Sequence, residues 1–323
     1  MTGTAGATGG ADFDGADSES TLRIVTLVPA ATEAVCCLGL ESRLVARSHE
    51  CNFPSSVGRL PVCTQTRLDS AEASARIDAD VKQALRQGRP LYQVRADVLR
   101  AARPTHIVTQ DQCQVCAVGL DDVHRAISGM DGVPPIVVTI STLGLCDLWS
   151  DLERLAATLG VVAHGERQIA RLRDRLTVVA DRVPTNVVPR VACIEWMDPL
   201  MISGNWVPEL VEIAGGRVIS GDRGEPSAWL TWESLMAAAA DVIIVVPCGF
   251  SLRRTRAEWD VLTRRAEWSQ LSAVEHGRVY LMDGDYFLNR PGPRLVESVE
   301  ILAEIIHPDH FAPDHQGSAW NPA

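Results

Sequence analysis

No apolar run in this chain is long enough to cross a bilayer, so no membrane span is expected. Positive charge is in deficit. The 41 acidic against 30 basic residues leave a net −11, and a nucleic-acid or anionic-membrane surface needs the opposite footprint. Enzyme signatures are missing too. There is no Gly-x-Gly-x-x-Gly after the first strand, no Walker lysine loop, no Gly-x-Ser-x-Gly elbow and no His-Glu-x-x-His. Residues 1–20 are mostly Gly, Ala, Thr, Asp and Ser, with neither a positive start nor an apolar centre. That composition is unlike a signal peptide and predicts a disordered leader over 1–21. Without an export signal the expected compartment is the reducing cytoplasm. The nine cysteines there serve as core fillers, metal ligands or redox groups.

What remains is an ordinary globular composition, 46% apolar and 22% charged, over 323 residues. That length suggests about two domains, each able to bury a core. The pattern is α/β. Strands are predicted over 23–28, 43–46, 105–109, 135–140, 191–194, 241–246 and 278–282. Helices are predicted over 31–38, 77–85, 94–102, 120–130, 207–214, 232–239 and 293–306. Asn205 is placed as the N-cap of the 207–214 helix, and Gly215-Gly216 supplies the positive φ where that helix ends.

The longest helical pattern, 145–181, carries leucines at helical spacing and is interrupted only by Gly160 and Gly165. It reads as a single stiff spine. The segments on either side of it resemble each other. The stretch 38–47 lines up with 213–221, and 99–113 with 235–249, each running helix, strand, then a cysteine loop. The expected architecture is two similar Rossmann-like lobes, 22–143 and 185–308, joined by a spine at 144–184. A ligand cleft lies between the lobes, and 309–323 form a tail.

Two constellations sit in the predicted loops. The first is aromatic and polar: Phe53, Tyr92, Trp196, Trp206, Phe250, Tyr286 and Phe287, with Asp198, Asn205, Asn289 and Arg290 as edge partners. Facing one cleft, they would wall a flat ligand. Scattered, they would be core plugs and surface groups. The second is His49-x-Cys51 with Cys113-x-x-Cys116. Three thiolates and an imidazole make a sound zinc set, and an iron–sulfur centre has less support. A redox disulfide between Cys113 and Cys116, or plain free thiols, are the other readings. Cys248 lies in the matching loop of the second lobe. Glu195 and Asp198 are spaced as an acid–base pair or as ordinary loop carboxylates. Glu33 and Glu209 open comparable helices, where a carboxylate favours the dipole.

Several stretches together resemble the class III, helical-backbone substrate-binding proteins, and among them the cobalamin-binding proteins of ABC transporters. They are Thr26-Leu-Val-Pro-Ala-Ala-Thr-Glu33, Arg47-Ser-His-Glu-Cys-Asn-Phe-Pro54, Thr109-Gln-Asp-Gln-Cys-Gln-Val-Cys116, Pro247-Cys-Gly-Phe250 and Phe287-Leu-Asn-Arg-Pro-Gly-Pro-Arg294, with the 195–209 segment. The resemblance covers roughly 22–308. It implies two lobes about a spine helix and a corrinoid held between them without chemistry. It also implies carboxylates on each lobe that dock an ABC permease. Such proteins are normally exported, so the leader argues instead for cytoplasmic holding or sensing of a corrinoid. The competing reading is a cytoplasmic metal- or thiol-dependent enzyme or sensor that uses His49, Cys51, Cys113 and Cys116.

Overall fold

A computed structural model describes residues 22–111, 118–130 and 132–323. The expected leader and the pair Cys113 and Cys116 lie outside the described residues. The first lobe runs β1 (Ile24–Thr26), α1 (Pro29–Cys37), β2 (Leu44–Arg47), β3 (Thr64–Thr66), α2 (Ser74–Arg86) and β4 (Tyr92–Val94). It continues with α3 (Ala96–Ala102), β5 (His106–Gln110), α4 (Leu120–Ile127) and β6 (Ile136–Ile140). Its main sheet has order β2-β1-β5-β6, with all neighbours parallel. β3 and β4 form a separate antiparallel ribbon.

Two helices follow, α5 (Leu145–Thr158) and α6 (Val162–Arg182). The spine is therefore not one helix. Gly160 takes φ +75°, and the Val161 amide donates back to Ala156 O at 2.8 Å, closing α5 with a left-handed turn. The other glycine that interrupts the pattern, Gly165, stays helical. A Cβ there would come within 2.6 Å of the Ala156 methyl, so this glycine lets α6 pack closely on α5. The leucine pattern persists across the break because both helices bury the same kind of face: Leu148, Leu152 and Leu155 from α5, Ile169 and Leu172 from α6.

The second lobe runs β7 (Arg190–Trp196), β8 (Met201–Ile202), α7 (Val207–Ile213), β9 (Arg217–Val218), β10 (Ala228–Trp229), α8 (Trp232–Ala238) and β11 (Val242–Val245). It ends with α9 (Leu252–Ala257), α10 (Asp260–Thr263), α11 (Ser272–Glu275), β12 (Val279–Met282), α12 (Leu295–Ile306) and β13 (Trp320–Pro322). Its parallel core, β9-β7-β11-β12, repeats the order of the first lobe. The repeat reaches down to single dihedrals. α3 and α8 each end on a left-handed residue, Arg103 at φ 43° and Ala239 at φ 44°, and these two positions are matched in the sequence repeat.

The strands alternate between two buried faces, as parallel sheets covered on both sides must. Val191, Cys193, Val242 and Ile244 join a core that continues through the spine helices into the first lobe. Ala192, Ile194, Ile243 and Val245 pack outward against Leu235, Leu262 and Trp268.

Two further expectations need correcting. The 309–323 segment is not a loose tail. β13 adds antiparallel to β12, with Phe311, Ala319 and Trp320 buried. Nor does Asn205 cap α7. It sits at φ 51° one residue too early, bonded through its backbone to Glu225 and Gly224, and Trp206 occupies the cap position without a side-chain bond.

Candidate functional site

The strand ends of both sheets deliver their following loops to the boundary between the lobes. After β2, residues 48–54 form a compact loop pinned by Thr64. The Thr64 hydroxyl lies 3.0 Å from the His49 amide, 2.8 Å from His49 Nδ1 and 2.9 Å from Ser48 Oγ. Cys51 is fully buried in this loop, and burial pushes its thiol up to about 11. His49 instead faces Thr64 and the Tyr92 ring, 5.7 Å between centroids. Two of the four expected metal ligands thus lie in this loop, and Cys113 and Cys116 lie outside the described residues. Among the described residues no group of three or more His, Cys, Asp or Glu side chains is placed to hold an ion.

Glu50 receives the Tyr92 hydroxyl at 3.2 Å. Burial lifts its carboxyl to about 7, against the bond from Tyr92, which lowers it. From the second lobe, Glu195 stands near the end of β7 and receives the Ser227 hydroxyl at 2.8 Å. Burial raises this carboxyl as well. Cys248, after β11, donates its amide to Glu195 O at 3.2 Å. Burial, then the charges of Glu195 and Glu50, push its thiol up to about 12. Cys248 is nonetheless surface-accessible, and Glu50, Tyr92 and Glu195 are half-exposed. Side chains that touch solvent while protein surrounds them on most sides line a recess rather than a convex surface.

The lobes are tied across this boundary. Arg290, 7% exposed, donates to Glu33 at 3.1 Å and, within its own loop, to Asp285 at 2.8 Å. It also donates to Asn52 Oδ1 at 2.8 Å, and Asn52 Nδ2 returns a bond to Asp285 at 2.9 Å. A second tie joins Ser74 at the head of α2 to β7 and α9. Its amide donates to Glu258 at 2.6 Å, and its carbonyl accepts the Trp196 indole at 3.3 Å. Arg254 reaches the Ser70 and Glu72 carbonyls across the same boundary. An aromatic cluster closes the rim. Phe53 meets Tyr286 edge-on at 6.4 Å, and the Arg294 guanidinium lies over Phe53 at 4.0 Å and Phe287 at 4.2 Å.

The structure brings Phe53, Tyr92, Trp196, Phe250, Tyr286, Phe287 and Arg290 to the lobe boundary. Phe250 and Phe287 are largely buried, at 4% and 7% exposed, and Arg290 is spent on the interlobe tie. The remaining expected residues stand elsewhere. Trp206 is buried in the core with its indole N–H on Leu288 O. Asn289 donates to the Val246 and Gly284 carbonyls and so braces its own loop. Asp198 is exposed on the β7–β8 turn, beside a depression of about 270 Å³ lined only by second-lobe residues. A depression of about 240 Å³ beside α2 is equally local. Both fall below the roughly 300–1,000 Å³ usual for ligand sites, and the convergence of loops at the boundary outweighs them.

Glu33 and Glu209 do not present free carboxylates. Glu33 is 3% exposed and held by Arg290, with burial lifting it to about 7 despite that cation. Glu209 accepts the Leu145 amide at 2.8 Å and so caps the spine. The recess residues that sequence reasoning passed over are Glu50, Asn52, Ser227 and Asp285. Glu50 and Asn52 were inside the His-Glu-Cys-Asn-Phe-Pro stretch, where the polar residues between the metal candidates were the available signal.

Residues 135–286 match the periplasmic binding protein family. An uncharacterized ABC transporter substrate-binding lipoprotein of Bacillus subtilis is 54% identical over 48 residues, a span of only 15% of either chain. A vitamin B12-binding protein of Vibrio parahaemolyticus is 21% identical over 89% of this chain and 90% of its own. Among solved structures, a periplasmic haem-binding protein of a Roseiflexus species has a TM-score of 0.66 at 20% identity, covering 89% of this chain and 98% of that one. The periplasmic vitamin B12-binding protein of Vibrio cholerae has a TM-score of 0.64 at 20% identity, covering 88% and 96%. Residues 135–286 match the periplasmic binding protein family, and the whole chain has the two-lobed class III fold of these solved binding proteins.

Proposed function

We propose that this chain binds a corrinoid in the recess between its lobes and does not turn it over. The observation that carries the reading is the meeting of Phe53 from the first lobe with Tyr286 from the second, with Tyr92 in the first lobe and Trp196, bonded to Ser74 across the boundary, in the second. Phe53, Trp196 and Tyr286 stand at or just after strand ends of the two main sheets, where α/β folds place ligands, Tyr92 opens the β3–β4 ribbon beside them, and the interlobe bonds of Arg290 and Ser74 fix the spacing. A broad flat ring needs such aromatic walls and a few polar groups. Full-length likeness to vitamin B12-binding proteins supports a corrinoid over an unrelated small molecule.

Delivery to an ABC permease is the form of this function that the substrate-binding relatives support. Cytoplasmic holding is the form that the seven free cysteines among the described residues support. Cell fractionation separates the two. The binding itself is tested by titrating purified protein with cyanocobalamin while following tryptophan fluorescence and the corrinoid absorption bands. Saturable one-to-one binding at micromolar or tighter affinity is expected. A flat titration would sink the reading.

A further inference from the structure

Glu50 and Glu195 face the recess from opposite lobes, one on the loop after β2 and one near the end of β7. Glu50 holds the Tyr92 hydroxyl and Glu195 the Ser227 hydroxyl, with the Ser203 hydroxyl also facing Glu195. A carboxyl group has about four acceptor positions, so each keeps most of its capacity for a ligand. Cys248 lies in the field of both, and Asp285 adds a third acid facing Glu50.

The cations that could offset this acidity are already engaged. Arg290 serves Glu33, Asp285 and Asn52. Arg294 donates Nε to Glu297 at 2.9 Å and lies over Phe53 and Phe287, and its Nη1 is buried, out of reach of the recess, without a hydrogen-bond partner. Arg254 covers the Phe250 ring at 4.1 Å and is bonded to first-lobe carbonyls.

A macrocycle meets such a recess with its rim. A haem rim carries two carboxylates, whereas a corrinoid rim carries carboxamides. Carboxamide N–H groups donate to a carboxylate, and carboxamide oxygens accept from a protonated one. A second carboxylate offers a carboxylate nothing, and the like-charge contact in a walled recess is costly. We propose that Glu50 and Glu195 are the specificity determinants of this recess, selecting a ring edged with amides and rejecting one edged with carboxylates. The inference rests on the corrinoid reading of the same site and adds the residues that enforce it.

The Glu195 carboxyl titrates above the ordinary range because it is buried, so its part of the rejection is strongest at alkaline pH. The groups facing Glu50 are Tyr92, Arg290, Asp285, Cys51 and Cys248. Those facing Glu195 are Ser227, Ser203, Cys193 and Cys248. Of these, only Arg290 is cationic.

The test compares cyanocobalamin, its monocarboxylates (one rim amide hydrolysed) and hemin on the full chain, with Glu50→Gln and Glu195→Gln beside it. At pH 8 cyanocobalamin should bind about tenfold or more tighter than the monocarboxylates, with hemin weaker still. The gap should shrink several-fold in each variant, and in the unmodified chain at pH 6, a comparison that needs no variant to fold. Cyanocobalamin binding with a gap that neither variant nor pH alters would overturn the specificity role and leave the corrinoid reading standing. Hemin binding more tightly than cyanocobalamin would overturn the role outright. Binding of none of the three would remove both.

Discussion

Arg290 Nη1 and Glu33 Oε1 meet at 3.1 Å across the lobe boundary, with side chains 7% and 1% exposed. The pair is 257 residues apart in sequence, and Asp285 and Asn52 complete its surroundings. Removing one partner of a buried ion pair strands the other charge, at roughly 3–5 kcal/mol. Arg290→Met should therefore lower stability by about that amount. Glu33→Gln should cost far less, since an amide oxygen still accepts from Arg290 and the site already favours the uncharged form. Denaturant midpoints of the two variants check the ranking. Equal losses would mean that the lobes are held by packing rather than by this knot.

The same burial fixes a pH dependence. Glu33 and Glu50 titrate at about 7 in the folded chain against an ordinary 4.5. Between those values the folded chain holds more protons than the unfolded one. These two groups therefore lower stability as pH rises through that window and contribute no further change above it. The lowered His49, His106 and His307 act in the opposite sense below their ordinary 6.5, so the difference between variant and parent is the clean readout. Glu50→Gln should flatten the decline between pH 5 and pH 8 and melt no lower than the parent at pH 8. Parallel melting-temperature profiles for the two proteins would refute the assignment.

The repeat was legible because helix and strand periodicity are local. The 99–113 and 235–249 stretches each carry their own helix, left-handed turn and strand, and Arg103 and Ala239 fall at the same place in both. The break at Gly160 was in view but was outvoted, because the leucine spacing on either side fits one helix as well as two. The interlobe pairs were beyond reach. Nothing near Glu33 in sequence indicates Arg290, and an acid on an apolar helix reads equally well as a dipole partner. Composition hid the last segment, where a polar, proline-containing stretch conceals Phe311 and Trp320 as core residues.

Trp196 and Trp206 show why the aromatic loops could not be sorted in advance. Trp196 ends β7 and Trp206 precedes α7, yet Trp206 is 9% exposed in the spine core and Trp196 is half-exposed at the boundary. Trp206→Phe keeps the ring and strands the buried Leu288 carbonyl, at about 1–3 kcal/mol. Trp206→Ala also opens a cavity, at about 3–5 kcal/mol. Ligand-induced quenching of tryptophan fluorescence should survive Trp206→Phe and weaken in Trp196→Phe. The reverse pattern would move the ligand away from the boundary.

The C-terminal strap is held by one buried carboxylate. Glu304, 5% exposed on α12, accepts from Trp320 Nε1 at 2.8 Å, the His315 amide at 3.1 Å and His315 Nδ1 at 2.6 Å. These bonds bring β13 onto the free edge of β12, so the strap both satisfies the acid and covers a strand edge. Trp320→Phe removes one charge-assisted donor and should cost about 1.5–3 kcal/mol. Deleting 311–323 removes all three donors and uncovers β12, so it should cost more than the point variant and increase aggregation on heating. Glu304→Gln in the shortened chain separates the two contributions. If the stranded charge dominates, neutralising it recovers much of the loss; if edge exposure dominates, the shortened chain aggregates as before.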